Sequence, residues 1–70
     1  MDKAILGHII QQRRDALDLK QEDLAEMTGI TSKTIYLIER GKGNPSIETL
    51  RKLFEVLGLE ISIHIKRVNE

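Results

Sequence analysis

Residues 21 to 46 read QEDLAEMTGITSKTIYLIERGKGNPS, and this segment confines the fold more than any other part of the chain. A glutamine opens a short helical pattern, the corner Thr-Gly-Ile-Thr-Ser interrupts it, and a second helical pattern closes on Ile-Glu-Arg-Gly. Gly29 stands at the corner, where a positive φ angle costs a glycine little. Thr31 supplies a hydroxyl that can accept from the free N–H groups of the helix that follows. The segment therefore specifies a short bracing helix, a tight turn and a second helix presented by its end.

The flanking sequence supplies two more helices. Ile5, Leu6, Ile9 and Ile10 recur three and four residues apart, and Arg13, Arg14 and Leu17 continue those stripes, which predicts a first helix over about Ala4 to Ala16. Asp18 can end it, because aspartate tolerates left-handed backbone better than most residues. The second helix is expected over Gln21 to Met27, with Leu24, Ala25 and Thr28 inward. Lys20 makes a poor cap for it, although Glu22 and Asp23 suit the positive end of the helix dipole. The third runs from its Thr31 cap to about Arg40 with Ile35 and Ile38 inward, and Gly41 stops it. Lys-Gly-Asn-Pro then makes a solvated loop. Ser46 caps the fourth helix, Ile47 to Leu57, whose inward face is Ile47, Leu50, Leu53, Phe54 and Leu57. Gly58 ends it.

Beyond Gly58 the period drops to two. Leu59, Ile61, Ile63 and Ile65 alternate with Glu60, Ser62, His64 and Lys66, which predicts a β-strand over residues 59 to 66. Everything before it reads as helix, so the chain offers that strand no partner, and a lone strand leaves its backbone unsatisfied. Pairing with the same strand of a second copy resolves this and gives a two-fold symmetric homodimer. The alternatives are a strand laid on its own helices with one edge wet, or an extra helix, which the alternation disfavours. The expected organisation is a helical domain over residues 1–58, a dimerising strand over 59–66 and a flexible tail over 67–70. The fold class is mainly α.

Seventy residues make one small domain with a core that is marginal alone. With no cysteine, neither disulfides nor thiolate metal sites are available as staples. The start, MDKAILGHII, has neither a basic leader nor a long apolar run, so a cytoplasmic protein without a membrane span is expected. The 11 basic and 11 acidic residues cancel, but unevenly along the chain. From Thr31 to Lys52 the bases Lys33, Arg40, Lys42, Arg51 and Lys52 face only Glu39 and Glu48; from Asp15 to Glu26, five acids face Lys20. A surface polarised in that way can meet phosphates on one side. No enzyme is expected, and no cofactor. His8 and His64 form neither a metal cluster nor part of a nucleophile arrangement, and GKGNP lacks the pattern of a phosphate-binding loop.

From Leu6 to Leu59 the chain resembles the helix-turn-helix domain of the Cro-type and phage-repressor superfamily, through LKQEDLAEMTGI, TSKTIYLIERGKGNPS and IETLRKLFEVLGL. The resemblance implies a compact helical bundle that binds palindromic operator DNA as a dimer and represses transcription. Most members continue into a fifth helix where this chain has LEISIHIK. That ending is similar to small antitoxins that neutralise kinase toxins, dimerise through a carboxyl-terminal strand and repress their own operon, which implies a toxin protein as a further partner. A protein-binding module with little DNA affinity is the rival reading, and the zero net charge speaks for it.

Matched residue by residue, the resemblance gives the DNA-facing positions. Gln21 opens the bracing helix and can donate to a phosphate. Ser32, Lys33 and Thr34 open the recognition helix, where side chains meet base edges; Lys33 can reach guanine O6 and N7 or a phosphate. Leu37 matches a base-facing position suited to a thymine methyl. Tyr36 is open between sugar or phosphate contact and completion of the core. Lys42, Asn44 and Ser46 should lie over the backbone, adding affinity and register. Arg14 and Glu39 are expected as a partly buried ion pair that aligns the helices.

Overall fold

Asp2 starts the first helix one residue earlier than the apolar pattern indicates. In the computed structural model, which describes residues 2–66, its carboxylate accepts from the N–H groups of Ala4 at 2.8 Å and Ile5 at 3.2 Å. Helix α1 then runs over Lys3–Ala16, α2 over Gln21–Thr28, α3 over Ser32–Glu39 and α4 over Ile47–Leu57. Each boundary has a local cause. Asp18 takes φ 57° in the turn after α1 and is the one non-glycine with positive φ among the described residues. Lys20 cannot accept a capping bond, but its backbone N–H donates to the Asp23 carboxylate at 2.9 Å, so half of a capping box survives. Gly29 ends α2 at φ 78°, Thr31 Oγ1 caps α3 through the Thr34 N–H, and Ser46 Oγ caps α4 through the Thr49 N–H.

Helix α1 crosses α3 and α4, and α2 packs on the same two. The core between them is Leu6, Ile10, Leu24, Ile35, Ile38, Leu50, Leu53, Phe54 and Leu57. Gly7 makes the α1–α3 crossing close: a methyl there would fall onto the Ile38 carbonyl and 2.7 Å from that of Glu39. The inward face expected for α4 holds from Leu50 onward and fails at Ile47, which is 76% exposed. Ile47 sits in the first turn of α4, beside the tail rather than above the core.

The expected strand is not formed in the single chain. Leu59 packs against the core, and its N–H returns to the Phe54 carbonyl at 2.9 Å beyond the left-handed Gly58. Past that point residues 60–66 are exposed, and no ladder joins them to any described residue. Ile61, Ile63 and Ile65 therefore have no strand neighbour. The reason is topological, since every other described segment with a regular backbone is helical and closes its hydrogen bonds internally. The tail expected over 67–70 lies outside the described residues. Among the described residues no helix is long and apolar enough to cross a membrane.

Candidate nucleic-acid interface

The orientation of α3 is set from beneath by one buried carboxylate. Glu39 accepts from Arg14 Nε at 2.7 Å, from Arg14 Nη2 at 3.0 Å and from Gln21 Nε2 at 3.0 Å. Arg14 Nη1 also donates to the Leu19 carbonyl at 2.8 Å. The last turn of α3 is thereby tied to α1, to the α1–α2 turn and to the first residue of α2. The pair is well enclosed, with side-chain exposures of 11% for Arg14 and 3% for Glu39. Its hydrogen bonds to Glu39 hold the Arg14 guanidinium above its ordinary pKa, although burial pulls the other way. Fork-to-fork geometry of this kind fixes direction as well as distance.

With its inner face fixed by Ile35, Ile38 and Glu39, α3 turns an outer ridge to solvent between two shallow clefts. One cleft is lined by Arg14, Lys20, Gln21, Glu22, Ser32, Lys33 and Tyr36 and lies against the start of α2. The other is lined by Thr34, Leu37, Lys42, Asn44 and Pro45 and lies against the loop before α4. Lys3 Nζ donates to the Gly43 carbonyl at 2.5 Å and pins that loop to the start of α1. The sequence-expected residues thus divide between the two flanks of one helix. Ser46 stands apart from both clefts, with its hydroxyl engaged in capping α4.

Individual side chains differ in how free they are. Thr34 shares its hydroxyl with Thr31 at 2.9 Å and is partly buried. Gln21 keeps one amide hydrogen and its carbonyl oxygen beyond its bond to Glu39. Tyr36 is 48% exposed, so it does not complete the core. Its ring instead carries the Arg40 guanidinium 5.9 Å from the centroid. Arg40 is a member of this surface that the motif comparison passes over. Its signal is spacing alone, one turn beyond Tyr36 on a helix. The bond from Gln21 to Glu39 has no local sequence signal, since the two are far apart in the chain.

Charge sharpens the picture. Among the described residues Lys33, Arg40 and Lys42 have no carboxylate partner, whereas Arg51 is bound to Glu48 at 2.6 Å and lies 3.6 Å from Glu55. The hydrogen bond between them raises the Arg51 pKa and lowers that of Glu48. Lys33, Arg40 and Lys42 therefore leave positive charge on α3 and the loop after it that a polyanion can meet, as Lys20 does before α2 and Lys52 on α4. The described residues include no group of three or more metal-ligating side chains.

Comparison with known proteins bears on the fold and the family. Residues 10–63 match the Helix-turn-helix family profile HTH_3. An uncharacterized HTH-type transcriptional regulator of Methanothermobacter thermautotrophicus is 38% identical over 52 residues, covering 74% of this chain and 75% of that protein. The HTH-type transcriptional regulator PuuR of Escherichia coli is 39% identical over 56 residues, covering 80% of this chain but only 30% of PuuR. The crystal structure of an HTH_3 family transcriptional regulator from Vibrio cholerae superposes with a TM-score of 0.78 at 28% identity, over 86% of this chain and 34% of that one. The chain spans about a third of the length of PuuR and of the Vibrio cholerae regulator, and it belongs to the HTH_3 helix-turn-helix family.

Proposed function

We propose that this chain is a sequence-specific DNA-binding transcriptional regulator, acting as a homodimeric repressor on a palindromic operator. One observation carries the proposal: the outer ridge of α3, with exposed Lys33 and Tyr36, half-buried Leu37 and Arg40 just past its end, lies between two clefts whose far walls hold Gln21 and Lys42. A helix so placed can enter a major groove while its flanks meet the two bordering phosphate backbones. Ser32, Lys33, Thr34, Tyr36 and Leu37 are then the base-side candidates. Gln21, Lys42, Asn44 and the α4 start at Ser46 are the phosphate-side candidates, and Arg40 joins them. Pairing of the 59–66 tails would set two such helices about 34 Å apart for successive grooves.

A second role is favoured by the tail. Its likeness to small antitoxins, together with a neutral net charge, suits a protein that also neutralises a toxin and represses its own operon. A toxin-binding protein without independent DNA affinity is the competing reading. Footprinting on the native upstream region separates them. Operator recognition predicts protection of a palindrome and an affinity that falls steeply with salt. Lys33→Ala then distinguishes its two roles. A base contact costs about 1–3 kcal/mol and relaxes the preference at one position, while a phosphate contact weakens all sequences alike and reduces the salt slope by about 1. Absence of any salt-dependent, sequence-selective binding would leave the toxin-binding reading in its place.

A further inference from the structure

The unpaired tail contains information about its own pairing. Glu60, Ser62, His64 and Lys66 share one face, and Ser62 Oγ lies 3.1 Å from His64 Nε2 across two residues. Ile61, Ile63 and Ile65 take the other face, and Ile63 and Ile65 are 94% and 95% exposed in the single chain. Ile61 and Ile63 also border an open groove with Ile47, Phe54 and Leu59. Phe54 and Leu59 continue it into a second groove beside Ile5 and Ile9. An apolar surface of this extent, ending in a segment whose backbone joins no ladder, calls for a backbone partner as well as side chains.

Accepting the homodimer proposed above, two copies of one strand related by a two-fold axis can be antiparallel only in certain registers. Directly opposed residues point to the same face, so the axis must pass through a residue and not between two. Centred on Ser62, the pairing sets Glu60 against His64 and leaves Lys66 against Gly58, at the end of α4. Centred on His64, it stacks that ring on its copy and opposes Lys66 to Ser62. Centred on Ile63, it sets Glu60 against Lys66, Ser62 against His64, Ile61 against Ile65 and Ile63 against itself. Of these three registers only the last opposes Glu60 to Lys66.

We propose that the partner of the tail is the tail of a second copy, joined antiparallel about Ile63, with Glu60 facing Lys66 of the partner subunit at both ends of the ribbon. The two ion pairs set the register on the wet face, and the isoleucines close over the groove beside Ile47 and Phe54. Moving the axis by one residue, to Ser62 or His64, keeps the isoleucines on one face but breaks both ion pairs.

Charge exchange tests the register apart from the existence of the dimer. In sedimentation at low salt, Glu60→Lys and Lys66→Glu should each weaken self-association on the order of tenfold, because each places like charges opposite one another twice. The double variant E60K/K66E should recover wild-type association, and an equimolar mixture of the two single variants should form mixed dimers. Because the chain has no cysteine, oxidative cross-linking reads position directly. Ile63→Cys should couple to its own copy, since opposed residues sit within the Cα separation of about 4.4–6.8 Å that a disulfide spans. Ile61→Cys alone should not, being about 13 Å from its copy, but should couple when mixed with Ile65→Cys. A wild-type dimer whose double variant stays weakened, or whose Ile61→Cys couples to itself as readily as Ile63→Cys, overturns the register and leaves the dimer standing. Operator protection by protein that sediments as single chains overturns both.

Discussion

The helical bundle and the tail after Gly58 are encoded in opposite ways. Each helix begins at a specific hydrogen bond and hides part of its apolar stripe, and no buried side-chain polar atom among the described residues lacks a partner. The tail is as strongly patterned as any helix, yet it reaches solvent with Ile63 and Ile65 bare. A helix closes its backbone bonds within four residues, so a chain that specifies one also builds it. A strand closes them with a neighbour. The same clarity of pattern therefore yields structure in one region and a demand for a second molecule in the other.

The largest expected effect lies on the bundle side, at the Arg14–Glu39 pair. Glu39→Ala leaves the Arg14 guanidinium buried and also frees the Gln21 amide, and should cost about 3–5 kcal/mol in chemical denaturation. Arg14→Ala should cost a comparable amount for the reciprocal reason. The double variant should lose much less than the two losses combined, since it strands no charge. Strictly additive losses would show that each residue acts through separate contacts, and the account of how α3 is aimed would fail. For Glu39→Ala, loss of operator affinity should track the loss of α3 alignment more than the loss of charge, because the Glu39 side chain is only 3% exposed.

The extent to which the sequence discloses this structure follows the same division. The helices, the Thr31 and Ser46 caps and the turns at Asp18, Gly29 and Gly58 were all readable, because each rests on residues within one turn of one another. Ile47 departs from its helical pattern because a helical wheel carries no knowledge of where the core stops along the axis. Arg40 escaped the motif comparison, but its spacing from Tyr36 was visible. The bond from Gln21 to Glu39 was not visible at all, since it exists only once α2 and α3 have packed. The strand pattern was legible and its partner was not, because the partner is off the chain.

Gly7 is the intermediate case, and its sign is decided by two competing magnitudes. In an isolated helix, alanine in place of glycine gains about 1 kcal/mol. Here the added methyl meets the backbone carbonyls of Ile38 and Glu39, which cannot rotate aside as a side chain can. Overpacking of this kind costs about 1–3 kcal/mol, occasionally more, so Gly7→Ala should be a net loss in denaturant midpoint. The shift should also lengthen the Arg14–Glu39 bonds, because the crowding falls on the turn that carries Glu39. A gain in stability would mean that α1 and α3 are farther apart than this geometry places them.

Ile63→Ser should have the smallest effect on the subunit and the clearest on the comparison. Ile63 is almost wholly exposed in the single chain, so in dilute solution its replacement should move stability by no more than about 0.5 kcal/mol. At higher protein concentration the two chains should diverge. An associating wild type gains stability by mass action and its Tm rises with concentration, whereas the variant's should stay flat. The bundle substitutions behave in the reverse manner, lowering Tm at every concentration while leaving its dependence on concentration in place. A wild-type Tm that ignores concentration would remove the distinction between the regions, because the exposed isoleucines would then have no second chain to explain them.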